Sequence, residues 1–175
     1  HPGFHLDEGV AITLLKEYGE ELFPGVKEAT IHYKLKALVS EEDMGLSALE
    51  LLEKHQILCV GCLGERDALF DEHGPYRDKN KSACMLVADY LGVKSYGVVK
   101  KLIAFTDYFD RNGHAKVHKL LHANHKAFGS SDAANIFSYD IRAALRQRHQ
   151  LSFSQEETMK WLLDVVGVFI RSQRD

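Results

Sequence analysis

The sequence predicts an α/β first part followed by an all-helical second part, and three observations carry that expectation. Two short apolar runs of strand length, ILCVGC at 57–62 and ALFDEHG at 68–74, interrupt the helical periodicities of the first half. Each delivers polar residues at its C-terminal end, where binding groups often sit. After Gly97 the apolar positions keep a helical period almost to the last residue. Residues 1–96 are therefore expected to form an α/β domain and residues 97–175 a helical region. The division near 93–97 is soft, because no Gly/Ser linker, repeat or low-complexity tract marks a boundary.

Taken in order, HPGFHLDE reads as a loop feeding a helix whose apolar positions are Val10, Leu14, Leu15, Tyr18 and Leu22. Ile31 to Leu38 is rich enough in Ile, Tyr and Leu to predict a strand. SEEDMGLSALELLEKH then opens with a serine and an acidic first turn, a helix start. The two apolar runs follow as strands. KSACMLVADYLG predicts a helix from Ser82 to Gly92, with Met85, Leu86, Tyr90 and Leu91 on a helical period. Segments 97–110, 114–128, 132–149 and 154–172 all read as helices. The last has Ser154 and Glu157 at its start and a stripe of Trp161, Leu162, Val165, Val166 and Phe169.

Composition narrows the class. Of 175 residues, 45% are hydrophobic and 27% charged, as in an ordinary globular protein. No apolar run approaches the length that crosses a bilayer, and the opening residues lack the basic and apolar regions of a signal peptide. Three cysteines, Cys59, Cys62 and Cys84, make an odd number that suggests no disulfide framework. A cytoplasmic location without a membrane is expected. Charge is uneven: residues 1–58 carry 11 Asp/Glu against 5 Lys/Arg, whereas residues 111–149 carry 7 Lys/Arg against 2 Asp/Glu and half of the 10 histidines. The basic stretch suits an anionic partner.

His1, His5 and Asp7 place two imidazoles and a carboxylate within seven residues, and Asp71, Glu72 and His73 end the second apolar run. Together they form a nitrogen and oxygen set suited to Mn²⁺, Zn²⁺ or Fe²⁺. The alternative is a frayed terminus with exposed histidines, in which Asp7 and Glu8 merely favour a helix start. Cys59 and Cys62 have a C-x-x-C spacing, which packs in apolar surroundings or binds a metal. His114, His118, His122 and His125 share a helix face with Lys116, Lys119 and Lys126 nearby. That face is solvated, holds a second metal, or meets RNA phosphates. Tyr108, Phe109 and Trp161 either stack on bases or fill a core.

Several of these stretches resemble one family. His1-Pro-Gly-Phe-His5-Leu-Asp7-Glu8 is similar to the T-H-x-G-x-F-H-x-D-[DE] motif of the melanocyte-proliferating-gene exonucleases, a branch of the DHH phosphoesterase superfamily. Phe70-Asp71-Glu72-His73 resembles its D-H-H motif. Lys81-Ser82-Ala83-Cys84, with Leu86 and Tyr90-Leu91-Gly92, resembles the helix start that follows it, and Asp107-Tyr108-Phe109-Asp110-Arg111-Asn112-Gly113 resembles its V-D-x-x-D-N-G. The resemblance spans residues 1–113.

That resemblance implies a Rossmann-like domain binding one or two Mn²⁺ ions, with a metal-activated water attacking a phosphodiester or phosphoanhydride. It implies His1, His5, Asp7, Glu72, His73 and Asp107 (or Asp110) as metal ligands and Asp71 and His73 as catalytic residues. Lys81, Ser82 and Ala83 become phosphate-binding residues at a helix N-terminus, where backbone amides take anions; an ordinary serine cap is the alternative. Cys59 stands where the family has its bridging aspartate, and Glu72 stands in place of a histidine. The expected function is a metal-dependent phosphohydrolase acting on a phosphorylated small molecule, such as a nucleotide, or on nucleic acid, with short RNA favoured over DNA. The alternatives are a non-catalytic metal- or nucleotide-binding domain and a helical interaction protein using residues 114–172.

Overall fold

The computed structural model describes residues 5–61, 70–71, 81–123 and 133–172. Six α-helices organise them: α1 (Leu6–Tyr18), α2 (Ala48–His55), α3 (Ala83–Tyr90), α4 (Gly97–Ala123), α5 (Ala133–Gln150) and α6 (Gln155–Ser172). Three 3-10 turns, Val26–Glu28, Leu35–Ala37 and Glu42–Gly45, carry the chain from α1 to α2.

The expectation of a Rossmann-like α/β domain is overturned, because no β-strand or sheet forms among the described residues. Of the predicted strands, the first lies open to solvent. His32, Tyr33 and Lys34 are exposed, and a 3-10 turn interrupts the segment at Leu35. A strand needs a neighbouring strand for its amides and a face to bury, and this segment has neither. The described parts of the two apolar runs meet at an isolated parallel bridge, Val60 to Phe70, where the Gly61 N–H donates to the Phe70 carbonyl at 2.8 Å. Phe70 is fully buried, with the rings of Phe23 and Tyr90 packed edge-on against it. Of the described residues in the two runs Cys59 and Phe70 are buried, and apolar composition alone did not fix the conformation.

Helix α1 lies at the centre. Leu6, Gly9, Val10, Ala11, Thr13, Leu14 and Leu15 are all buried, and the helix packs chiefly on α3 and α6 and also on α4. Gly9 permits the closest approach: a β-carbon there would fall 2.2 Å from Leu162 Cδ2 of α6. Leu14, Val87, Leu102, Ile103, Leu162, Val166 and Ile170 are fully buried in one core cluster that takes in residues on both sides of residue 96. Along α6, Leu162 and Val166 form the buried seam, and Trp161, Val165 and Phe169 pack partly buried at its sides.

Helix boundaries follow local chemistry. The cap of α2 is Ser47, seven residues beyond the predicted serine, because Ser47 and Glu50 exchange hydrogen bonds in a capping box. The expected helices at 97–110 and 114–128 merge into the 27-residue α4, which runs through Asn112 and Gly113. Asn112 turns its amide back to the Tyr108 carbonyl at 2.9 Å, and one interior glycine costs only about 1 kcal/mol against alanine. No helix among the described residues is long and apolar enough to cross a membrane.

Candidate functional site

The first amides of any helix lack intrahelical acceptors, and burial makes their satisfaction compulsory. At α3 these donors are met by carboxylates from two other helices. Asp7 of α1 clasps the helix end with both oxygens: the Ala83 N–H donates to Oδ2 and the Cys84 N–H to Oδ1, each at 2.9 Å. Asp107 of α4 takes the Ser82 N–H on Oδ1 at 2.9 Å. Its other oxygen accepts from Arg111 Nε at 2.9 Å and Nη2 at 2.6 Å, one helical turn along. Asp7, Ser82, Ala83, Cys84 and Asp107 are all buried.

Electrostatics divide the two acids. Asp107 has the Arg111 guanidinium as an ionic partner. Burial is the main force on Asp7, lifting its carboxyl from 3.8 to about 7; hydrogen bonds from Cys84 oppose the rise, and the charges of Asp110 and Glu8 add to it. A carboxyl in that position exchanges its proton near neutral pH. Burial also pushes the Cys84 thiol well up, with Asp7 reinforcing the effect, so Cys84 stays protonated and is not a nucleophile. The Ser82 hydroxyl caps nothing and lies 3.3 Å from the Cys84 sulfur.

The site is anchored from the α1 side by His5 and Glu8. The His5 backbone N–H donates to Glu8 Oε2 at 2.7 Å, closing a capping box, while the His5 imidazole is exposed. Glu8 in turn lies against Gly61, whose φ of +59° is left-handed and whose missing β-carbon would stand 3.0 Å from Glu8 Cγ. This contact places the start of α1 beside the Val60–Phe70 bridge.

Among the residues singled out from sequence, Asp7, Asp107, Ser82 and Ala83 come together at one buried point. Asp71 follows directly on the bridge and is half-buried. Lys81 pairs with Asp89 at 2.8 Å, an acid it shares with Lys94. The amides offered to a phosphate at this helix end are those that Asp7 and Asp107 occupy. His1, Glu72 and His73 lie outside the described residues, as do Cys62 and His125; Cys59 is buried. Among the described residues no group of three or more His, Cys, Asp or Glu is arranged to hold a metal. The donor chemistry of Asp7 and Asp107 nevertheless suits a hard divalent cation, and Asp7 is an acid whose ionised form burial disfavours and an added cation would favour.

Two contributors were not given roles from sequence. Arg111 was legible as an i,i+4 partner of Asp107; the part played by the Cys84 amide depends on a contact 77 residues away and left no local signal.

No family model matches this chain, and neither a curated protein nor a solved structure matches it.

Proposed function

We propose that this chain is a metal-dependent phosphohydrolase acting on a nucleotide or short RNA phosphoester, with Asp7 and Asp107 among the ligands of a divalent ion, Mn²⁺ before Zn²⁺ or Fe²⁺. One observation supports it most. The described parts of three stretches that resemble phosphoesterase motifs, around Asp7, Ser82–Cys84 and Asp107, meet at one buried point although 76 and 25 residues separate the partners.

In this reading the α3 amides hold both carboxylates in fixed orientation, and Arg111 pairs with the second oxygen of Asp107. Asp7 is ready to give up its proton near pH 7. His1, His5, Glu72 and His73 supply further ligands, and Asp71 and His73 act on the phosphoester. When bound, a divalent ion lowers the pKa of its water and offsets charge on phosphoryl oxygens. The basic stretch from 111 to 149 draws the anionic substrate toward the site.

A second reading, a non-catalytic metal- or nucleotide-binding domain, draws support from the amides of Ser82, Ala83 and Cys84, which donate inward to the chain's own carboxylates. Hydrolysis of a 5′-phosphorylated diribonucleotide with Mn²⁺ separates the two. The phosphohydrolase reading expects turnover in the native chain and its loss in Asp107→Asn. Turnover that is absent from the native chain and emerges only in Cys59→Asp identifies the binding domain.

A further inference from the structure

Arg111 of α4 meets the carboxylate pair directly. Its Nε and Nη2 donate to Asp107 Oδ2 at 2.9 and 2.6 Å, while Oδ1 of the same carboxylate takes the Ser82 amide at 2.9 Å. Both arginine bonds go to one oxygen, so Asp107 engages only the side-on fork of the guanidinium, formed by Nε and Nη2. The end-on fork, formed by Nη1 and the second hydrogen of Nη2, makes no hydrogen bond among the described residues. Exposure divides the same way. The Arg111 side chain is 35% exposed and that of Asp107 5%, so the pair opens to solvent on the side of the arginine.

The other donors at this helix end are committed. The Ser82, Ala83 and Cys84 amides go to Asp107 and Asp7, and Lys81 pairs with Asp89 at 2.8 Å. An anion arriving beside two buried carboxyl groups needs a cation facing it, and a guanidinium fork matches two phosphate oxygens at once. Arg111 brings such a fork into contact with the pair, in an orientation that Asp107 fixes through two hydrogen bonds.

We propose that Arg111 binds a phosphoryl group of the substrate, holding Asp107 with its side-on fork and two phosphate oxygens with its end-on fork. This rests on the phosphohydrolase reading and adds to it the residue that recognises the charge of the substrate. Arg111 also occupies the Asp107 oxygen that a divalent ion would share. Its loss therefore weakens phosphate binding while leaving metal binding as tight or tighter. An arginine that only braced Asp107 would, when lost, loosen both.

The test is calorimetric titration of Mn²⁺ into the full chain, followed by inorganic phosphate into the Mn²⁺-saturated chain, for the native protein, Arg111→Met, Arg111→Lys and Arg146→Met. Arg146 is exposed on α5, and its substitution removes the same charge without touching the carboxylate pair. Arg111→Met is expected to weaken phosphate binding by about tenfold or more with Mn²⁺ affinity retained or raised, Arg111→Lys to weaken it by less, and Arg146→Met to change neither. If Arg111→Met misfolds, as circular dichroism would show, Arg111→Lys decides by the same criteria, because it keeps the charge and loses the fork. Loss of Mn²⁺ and phosphate affinity together marks a structural pair and overturns the proposal. Phosphate that binds native and folded Arg111 variants equally, or fails to bind the Mn²⁺-loaded native chain, also overturns it and leaves the phosphohydrolase reading standing. A native chain that takes up no Mn²⁺ sinks that reading and the proposal with it. Parallel titrations with adenosine 5′-monophosphate and a 5′-phosphorylated diribonucleotide tell a free nucleotide from an RNA end as the source of the phosphate. Dependence of either on Arg111, with Mn²⁺ retained, supports the proposal.

Discussion

The N-termini of α2 and α6 and that of α3 solve the same problem by opposite means. At α2, Ser47 and Glu50 satisfy each other's amides, and Ser154 and Glu157 do the same at α6. Both caps are local and exposed. At α3 the N-cap Ser82 has the right backbone conformation, yet its hydroxyl accepts no amide, and the donors go to Asp7 and Asp107 from other helices. A local cap stabilises one helix end. A tertiary cap fastens α1, α3 and α4 together and brings two buried carboxyl groups to the place where they join, which is an arrangement a structural cap does not require.

If that contrast is right, the two kinds of cap should fail differently. The largest effect is expected from Asp7→Ala, which leaves two buried amides without acceptors and should cost roughly 2–5 kcal/mol at pH 5, measured by urea unfolding. Next comes pH. Because the Asp7 carboxyl is raised from 3.8 to about 7, the native chain holds a proton that the unfolded chain has lost between those values. Its stabilising contribution is therefore complete below about pH 4 and is lost as pH rises through 7, a fall of about 2–4 kcal/mol in metal-free protein. Asp7→Asn should flatten that slope, and a slope unchanged by the substitution would show that Asp7 titrates normally. Asp107→Asn should cost about 1–3 kcal/mol, since it weakens the Arg111 pair but retains an acceptor for the Ser82 amide. Ser47→Ala should be smallest, about 1 kcal/mol, and insensitive to added Mn²⁺.

The same contrast explains what could be read in advance. Ser154 and Glu157, the seam of Leu162 and Val166, and the left-handed Gly92 after α3 are encoded within a few residues of where they act, and the α6 start and the extent of α3 were legible for that reason. Helix α4 was expected in two pieces because Asn112-Gly113 looks like a break; packing of Leu102, Ile103 and Phe109 on one side of that point and the Asn112 back-bond carry the helix through. The strands were misjudged because an apolar run does not fix conformation, while strand formation depends on partners elsewhere, and among the described residues Val60 and Phe70 form an isolated bridge. At the site, Asp7, Ser82, Ala83 and Asp107 could be named from their motifs. That both acids bind the same helix end could not, since it depends on how α1 and α4 cross α3.

The most direct test of the central claim is metal content by elemental analysis of the full chain after Mn²⁺ loading and desalting, native against Asp7→Asn/Asp107→Asn, with folding of both checked by circular dichroism. The account predicts roughly one equivalent or more in the native chain and a loss of most of it in the folded double variant. Equal metal in both, or none in the native chain, would contradict it and reduce the carboxylate pair to a tertiary helix cap.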